Sequence, residues 1–187
     1  MPAFTSPRLA RAGGLLLAGA CLFIGLAQAA EPTPAQRATF KQAYAAAQQG
    51  DDWRALAGTL HDYPLYPYLQ AAALEHDIRT VDRATVEAYL AQYPDWLPAA
   101  DLRRSFLREL ARRQDWSGFL ALYQAGLGDT LSCDALQARL AQDAMLEFDR
   151  DLATLWSQPS LPDACDPVLD AAQRQGLLTP ARLWTRI

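Results

Sequence analysis

The chain has 187 residues, 51% of them apolar, and a formal charge of −4 at neutral pH. That is the length of one domain, with enough apolar residues for a sizeable core. Mild acidity with Lys41 as the lone lysine argues against nonspecific nucleic-acid binding, which needs a basic face, so no nucleic-acid partner is expected.

Residues 1–29 read as a secretory signal peptide. Arg8 and Arg11 form a positive n-region, Leu15 to Leu26 is an uncharged apolar run, and Ala27-Gln28-Ala29 is an A-x-A cleavage site. Cleavage is expected after Ala29, with an uncleaved anchor as the alternative, since the run approaches spanning length. Cys21 reads as a small apolar member of the run. Loss of Arg8 and Arg11, with no acid, takes the formal charge from −4 to −6. The expected location is the periplasm, with membrane contact only through the signal peptide.

The rest, 30–187, reads as helix after helix. Thr33 before Pro34 is an N-cap with proline at the first helical position, and Gly50 closes that helix. Asp51-Asp52 opens the next, with Trp53, Leu56, Ala57 and Leu60 at i, i+3, i+4 and i+7. Tyr63-Pro-Leu-Tyr66-Pro-Tyr68-Leu69 follows. Its two prolines make a rigid aromatic corner before a helix over 69–78. Val86, Tyr89, Leu90 and Tyr93 form another stripe, and Pro94 and Pro98 bracket a turn at Asp95-Trp96-Leu97. Leu102, Phe106, Leu107 and Leu110 mark a further helix. Asp115 opens a stripe of Trp116, Phe119, Leu120 and Tyr123, which Gly126 and Gly128 end. A segment at 136–140 follows, and then Phe148, Leu152 and Leu155. Thr179-Pro180 starts a last helix, and the chain ends on apolar Ile187 without a polar cap, which reads as a partial product. The stripes start at 53, 86, 116 and 148. A helix pair recurring about every 32 residues predicts an all-α fold, an α-solenoid or superhelix of helix hairpins.

Two cysteines remain after export, Cys133 and Cys165. An even pair in an oxidising compartment predicts a disulfide, whose closure stabilises a fold by roughly 3–4 kcal/mol. Neither their spacing nor that of His61 and His76 suits a metal, so no metal and no cofactor is expected. Glu147, Asp149 and Asp151 are the densest carboxylates, read as a solvated helix face. Ser132 reads as a helix cap before Asp134. Trp53, Trp116 and Trp156 lie on apolar stripes and are expected in the core. Arg103, Arg104, Arg108, Arg112 and Arg113 are interleaved with Asp101, Glu109 and Asp115, a mixed charged face. Tyr63, Tyr66 and Tyr68 are the candidate substrate contacts, because aromatic faces with hydroxyl tips suit half-wet sites; packing of the corner is the competing role.

Four stretches, in order, resemble the soluble lytic murein transglycosylases, the enzymes that cut peptidoglycan glycan strands. They are Tyr63–Leu69, Glu109-Leu-Ala-Arg-Arg-Gln-Asp-Trp116, Cys133 with Asp163-Ala-Cys165-Asp166, and Leu183-Trp-Thr-Arg-Ile187. The resemblance spans nearly the whole mature chain. It implies the start of a long superhelical domain, followed C-terminally by a lysozyme-like catalytic domain with a Glu-Ser motif that leaves a 1,6-anhydro end. No glutamate here, at 31, 75, 87, 109 or 147, precedes a serine. The resemblance therefore implies a scaffold without a catalytic residue, a Cys133–Cys165 pairing, and glycan strands as partner. The alternative function is a secreted helical-repeat adaptor that binds another envelope protein.

Overall fold

The computed structural model describes residues 31–185, which hold helices and turns and no strand among them. Residues 1–30, on which the expected signal peptide and its cleavage site fall, and Arg186-Ile187 lie outside the described residues. In chain order the helices are α1 (Pro34–Gln49), α2 (Trp53–Ala57), α3 (Tyr66–His76), α4 (Arg83–Gln92), α5 (Leu97–Arg113), α6 (Trp116–Leu122) and α7 (Asp129–Leu140). A π-helical turn (Phe148–Leu152) runs into α8 (Ala153–Trp156). A 3-10 turn (Asp163–Cys165) runs into α9 (Asp166–Arg174), and α10 (Pro180–Trp184) follows.

Local chemistry sets the boundaries. The Thr33 hydroxyl accepts from the Gln36 amide while the Gln36 side chain accepts from the Thr33 amide, a reciprocal capping box. Gly50, at φ 78°, ends α1, with its own amide on the Ala47 carbonyl and the Asp51 amide on the Ala46 carbonyl. That Schellman closure needs a left-handed residue, which glycine supplies without a Cβ penalty. A Cβ at Gly50 would also fall 2.3 Å from the His76 ring, so α1 and α3 approach closely there. Gln114 closes α5 in the same manner at φ 58°, and Asp115 then caps α6 through the Gly118 amide (3.0 Å).

The core forms three clusters in succession. Ala43, Ala47, Trp53, Leu60, Tyr63 and Leu69 make the first. Val86, Tyr89, Leu102, Phe106, Phe119 and Leu131 belong to the second. Cys133, Leu146, Leu152, Cys165 and Val168 belong to the third. Two helices feed two clusters each. In α7, Leu131, Ala135 and Ala138 face the second cluster while Cys133 and Leu136 face the third. In α3, Leu69 packs in the first cluster, Ala71 in the second. A helix apolar on two faces is a helix packed on both sides.

Several expectations are corrected. The stripe Trp53 to Leu60 is not one helix: α2 stops at Ala57, Leu56 is 41% exposed, and Leu60 is buried from the following turn. Ser132 does not cap a helix. Gly128 precedes α7, and the Ser132 hydroxyl, inside the helix, donates back to the Gly128 carbonyl (2.9 Å). Trp53 is buried as expected, whereas Trp116 and Trp156 are half-buried, the latter with its indole N–H on the Arg182 carbonyl (3.1 Å). Leu152 and Leu155 are buried, but through a π turn rather than a regular stripe.

Asp151 also departs from its expected solvated face. Its side chain is 2% exposed and accepts from Arg139 (2.7 Å), Arg150 (2.8 Å) and the Glu147 amide (2.8 Å). The partner from α7 lies 12 residues back, beyond the reach of local pattern.

The arginine face matches its expectation of mixed charge. Arg104 pairs with Asp101, and Arg103 donates to the Leu122 carbonyl. Glu109, 6% exposed, accepts from Arg112 (2.6 Å) and Arg113 (2.7 Å), and Arg113 reaches on to the Arg79 carbonyl between α3 and α4. The Arg112 guanidinium first, then Arg113, lowers the Glu109 carboxyl to about 2, against the upward push of burial. Glu109→Gln is expected to destabilise by about 2 kcal/mol at neutral pH in denaturant titration. A depressed folded pKa means that this contribution is complete above the unfolded value near 4.5 and fades as pH falls towards 2. The gap between the Glu109→Gln variant and the parent should therefore close over that range.

Candidate functional site

The aromatic corner is built by a chain of three-residue turns. The Leu60 amide bonds Ala57, the Tyr63 amide bonds Leu60 and the Tyr66 amide bonds Tyr63. The helix behind it starts at Tyr66 rather than Leu69, because Pro67 is tolerated in a first turn. The Pro67 carbonyl accepts from the buried Tyr89 hydroxyl of α4 (2.9 Å), which fixes the corner on its neighbour. Burial pushes the Tyr89 phenol well above its ordinary range.

The three candidate tyrosines do not form one platform. Tyr63 is buried with its ring on Phe40 (5.0 Å), a packing role. Tyr66 is half-buried against His61 (5.2 Å) and Trp53 (6.2 Å). Tyr68 points the other way and meets Trp96 edge-on (6.2 Å). Helical spacing explains the split. Tyr66, Gln70, Ala73 and Asp77 lie on one side of α3, and Tyr68, Ala72 and Glu75 on another.

Each side lines a cavity. The first, about 350 Å³, lies among the α1–α2 corner, α3 and α4 and includes Trp53, Tyr66, Gln70, His76 and Thr85. The second, about 500 Å³, lies on the Tyr68 side with Tyr44, Gln48, Glu75, Leu97 and Asp101. His76, the last residue of α3, borders both, and its Nδ1 lies 3.0 Å from the Asp77 carboxylate. A third, about 460 Å³, is far along the chain, between α7 and α9.

Beside the second cavity, next to its lining residues Tyr68 and Leu97, lies a partly exposed aromatic corner. Trp96 (38% exposed) stands between Tyr68 and Tyr93 (6.0 Å), and Leu97 beside it is 75% exposed. Sugar faces are apolar and their edges are hydroxyl donors. Aromatic rings with the Glu75 and Asp101 carboxylates nearby offer partners for both. Sequence pattern missed Trp96 because it belongs to no stripe. Its signal was the pair Pro94 and Pro98: proline suits the first turn of a helix, α5 starts at Leu97, and Trp96 is left as the extended residue before it.

Asp134 is buried, and burial raises its carboxyl. It lines none of these three cavities. Cys133 and Cys165 are joined (S–S 1.98 Å), and the Gln137 amide donates to the Ala164 carbonyl beside the bridge (2.7 Å). Among the described residues no group of three His, Cys, Asp or Glu could hold a metal ion, and no helix is long and apolar enough to cross a membrane.

No family model matches the chain. The soluble lytic murein transglycosylase of Escherichia coli (strain K12) is 31% identical over 179 residues, 92% of this chain and 28% of that protein. This chain is homologous to the soluble lytic murein transglycosylases over most of its length. The crystal structure of the 70 kDa E. coli soluble lytic transglycosylase matches at a TM-score of 0.71 and 30% identity, over 81% of this chain and 25% of that one. An inactive mutant of the Pseudomonas aeruginosa lytic transglycosylase Slt matches at 0.70 and 33%, with the same coverage. The chain thus spans about a quarter of the length of these transglycosylases, and the all-helical fold is theirs over the matched span.

Proposed function

We propose that this chain is a non-catalytic, superhelical scaffold of a peptidoglycan lytic transglycosylase, which holds or orients glycan strands during cell-wall turnover. The homology over 92% of the chain is the observation that carries it. Residues 1–29 are its export signal, the periplasm its location, and a lysozyme-like domain C-terminal to it its catalytic partner. The superhelix is supported by the two-faced helices α3 and α7. Their starts, Tyr66 and Asp129, are 63 residues apart (129 − 66), near twice the expected period, with α5 starting at Leu97 between them. The glycan surface is the corner of Tyr68 and Trp96, with Tyr66 on the opposite side of α3; Tyr63 supports them from the core.

Glycosidic cleavage needs a carboxyl of raised pKa in a cleft beside the leaving oxygen. The chain alone is therefore expected to release no 1,6-anhydromuropeptides from purified sacculi, assayed by muropeptide chromatography. Anhydro products from a preparation free of other hydrolases would overturn the non-catalytic role.

A further inference from the structure

The third cavity, about 460 Å³, is framed by three elements. Gln137 and Ala141 lie one turn apart on α7, and Ala171, Arg174 and Gln175 follow at i, i+3 and i+4 along α9 and its C-cap. Trp116, the first residue of α6, is a half-buried aromatic wall. Its size is that of a small-ligand cleft, and its polar groups are half used. Gln137 Nε2 donates to the Ala164 carbonyl (2.7 Å), which fixes the amide and leaves its Oε1 as an acceptor. Gln175 Oε1 accepts from the Leu146 amide (3.1 Å), which leaves its Nε2 as a donor. Both glutamines are partly exposed, and neither remaining atom is sealed from solvent. Arg174 is exposed, and among the described residues no carboxylate pairs with it, Asp170 one turn back included.

We propose that this cavity binds the free carboxylate end of a short peptide, here a peptide branch of peptidoglycan. The ligand carboxylate accepts from the Arg174 guanidinium and Gln175 Nε2, its last amide N–H donates to Gln137 Oε1, and a small apolar side chain lies against Trp116. A neutral sugar leaves the guanidinium without a counter-charge, and a bare anion leaves the Gln137 acceptor and the indole unused. The source of the peptide rests on the proposed role in peptidoglycan turnover. The contacts use no residue of the Tyr68–Trp96 corner.

Titration of the isotope-labelled full chain with N-acetyl-D-alanyl-D-alanine tests it, followed by NMR at the Trp116 indole and the Gln137 and Gln175 side-chain amides. The controls are the same dipeptide with its carboxyl amidated, and acetate. Expected is saturable binding of the free acid at about 1–10 mM, weakened about tenfold by amidation and in Arg174→Gln, with acetate at least about tenfold weaker. Arg108→Gln removes an exposed arginine outside the cavity that also lacks a partner among the described residues, and it should leave binding unchanged. Equal binding of the amidated dipeptide or of acetate, undiminished binding in Arg174→Gln, a similar loss in Arg108→Gln, or no saturable shift overturns the site. Thermal unfolding reports whether Arg174→Gln folds; if it does not, the contrast between free and amidated dipeptide on the parent chain decides alone. Sedimentation with purified sacculi separates the site from the function it rests on. Sacculus binding without any dipeptide response sinks the site only. Dipeptide binding by a chain that sacculi do not retain sinks the glycan-holding function and leaves the pocket as a peptide-end site.

Discussion

Opening the Cys133–Cys165 bridge is expected to destabilise the protein by about 3–4 kcal/mol. The bond closes a loop with a sequence separation of 32, and that closure restricts the unfolded chain far more than the folded one. Both cysteines are fully buried in the third cluster, so the bridge also joins α7 to the turn that starts α9. For a domain of this size the loss corresponds to a fall in Tm of about 10 °C. Thermal unfolding with and without reductant, and of Cys133→Ala/Cys165→Ala, checks it. Unfolding temperatures within about 2 °C of each other would show that the third cluster holds without the bond.

Asp151→Ala is expected to cost about 3 kcal/mol, at the lower end for a broken buried ion pair. Truncation removes three acceptor contacts at once, to Arg139, Arg150 and the Glu147 amide that opens the π turn. Both arginines are partly exposed and can turn to water, which keeps the cost from rising further. Burial alone would raise the Asp151 carboxyl; the Arg150 and Arg139 guanidiniums and the Glu147 amide outweigh it and hold the group far below the carboxylate range. The stabilisation is then present at every pH above the unfolded value near 3.8 and is lost only as pH falls below it. Denaturant titration of the Asp151→Ala and Asp151→Asn variants at neutral pH and at about pH 3 checks both magnitude and sign. A variant as stable as the parent at neutral pH would contradict the assignment.

How much of this was legible in the sequence depends on the range of the chemistry. Thr33, Gly50, Asp115 and Thr179 act within three or four residues, and the structure places each at a helix end, as the pattern implies. The stripe Val86, Tyr89 and Leu90 is buried for the same local reason. The run Glu109 to Trp116, part of the family resemblance, is a helix ending: a carboxylate clamped by two arginines, a left-handed Gln114 and an N-cap. Asp151 was misread because its partner sits on another helix. The stripe from Trp53 was misread because α2 ends after five residues, where period alone would have continued it: Leu60 is buried from the following turn, and Leu56, inside α2, stays exposed. The tyrosine corner was visible as a corner, but not that α3 would send Tyr66 and Tyr68 into different cavities.

The glycan-holding role is tested most directly by sedimentation of the full chain with purified sacculi. Expected is retention in the pellet that falls at least about fivefold in Tyr68→Ala/Trp96→Ala, because the partly exposed rings of this edge-on pair are the proposed sugar-binding surface. Each substitution removes a partly exposed ring, so the fold should persist, and the Tm of the variant confirms it. A chain that stays wholly in the supernatant, or a variant retained as well as the parent, would contradict a glycan surface at this corner.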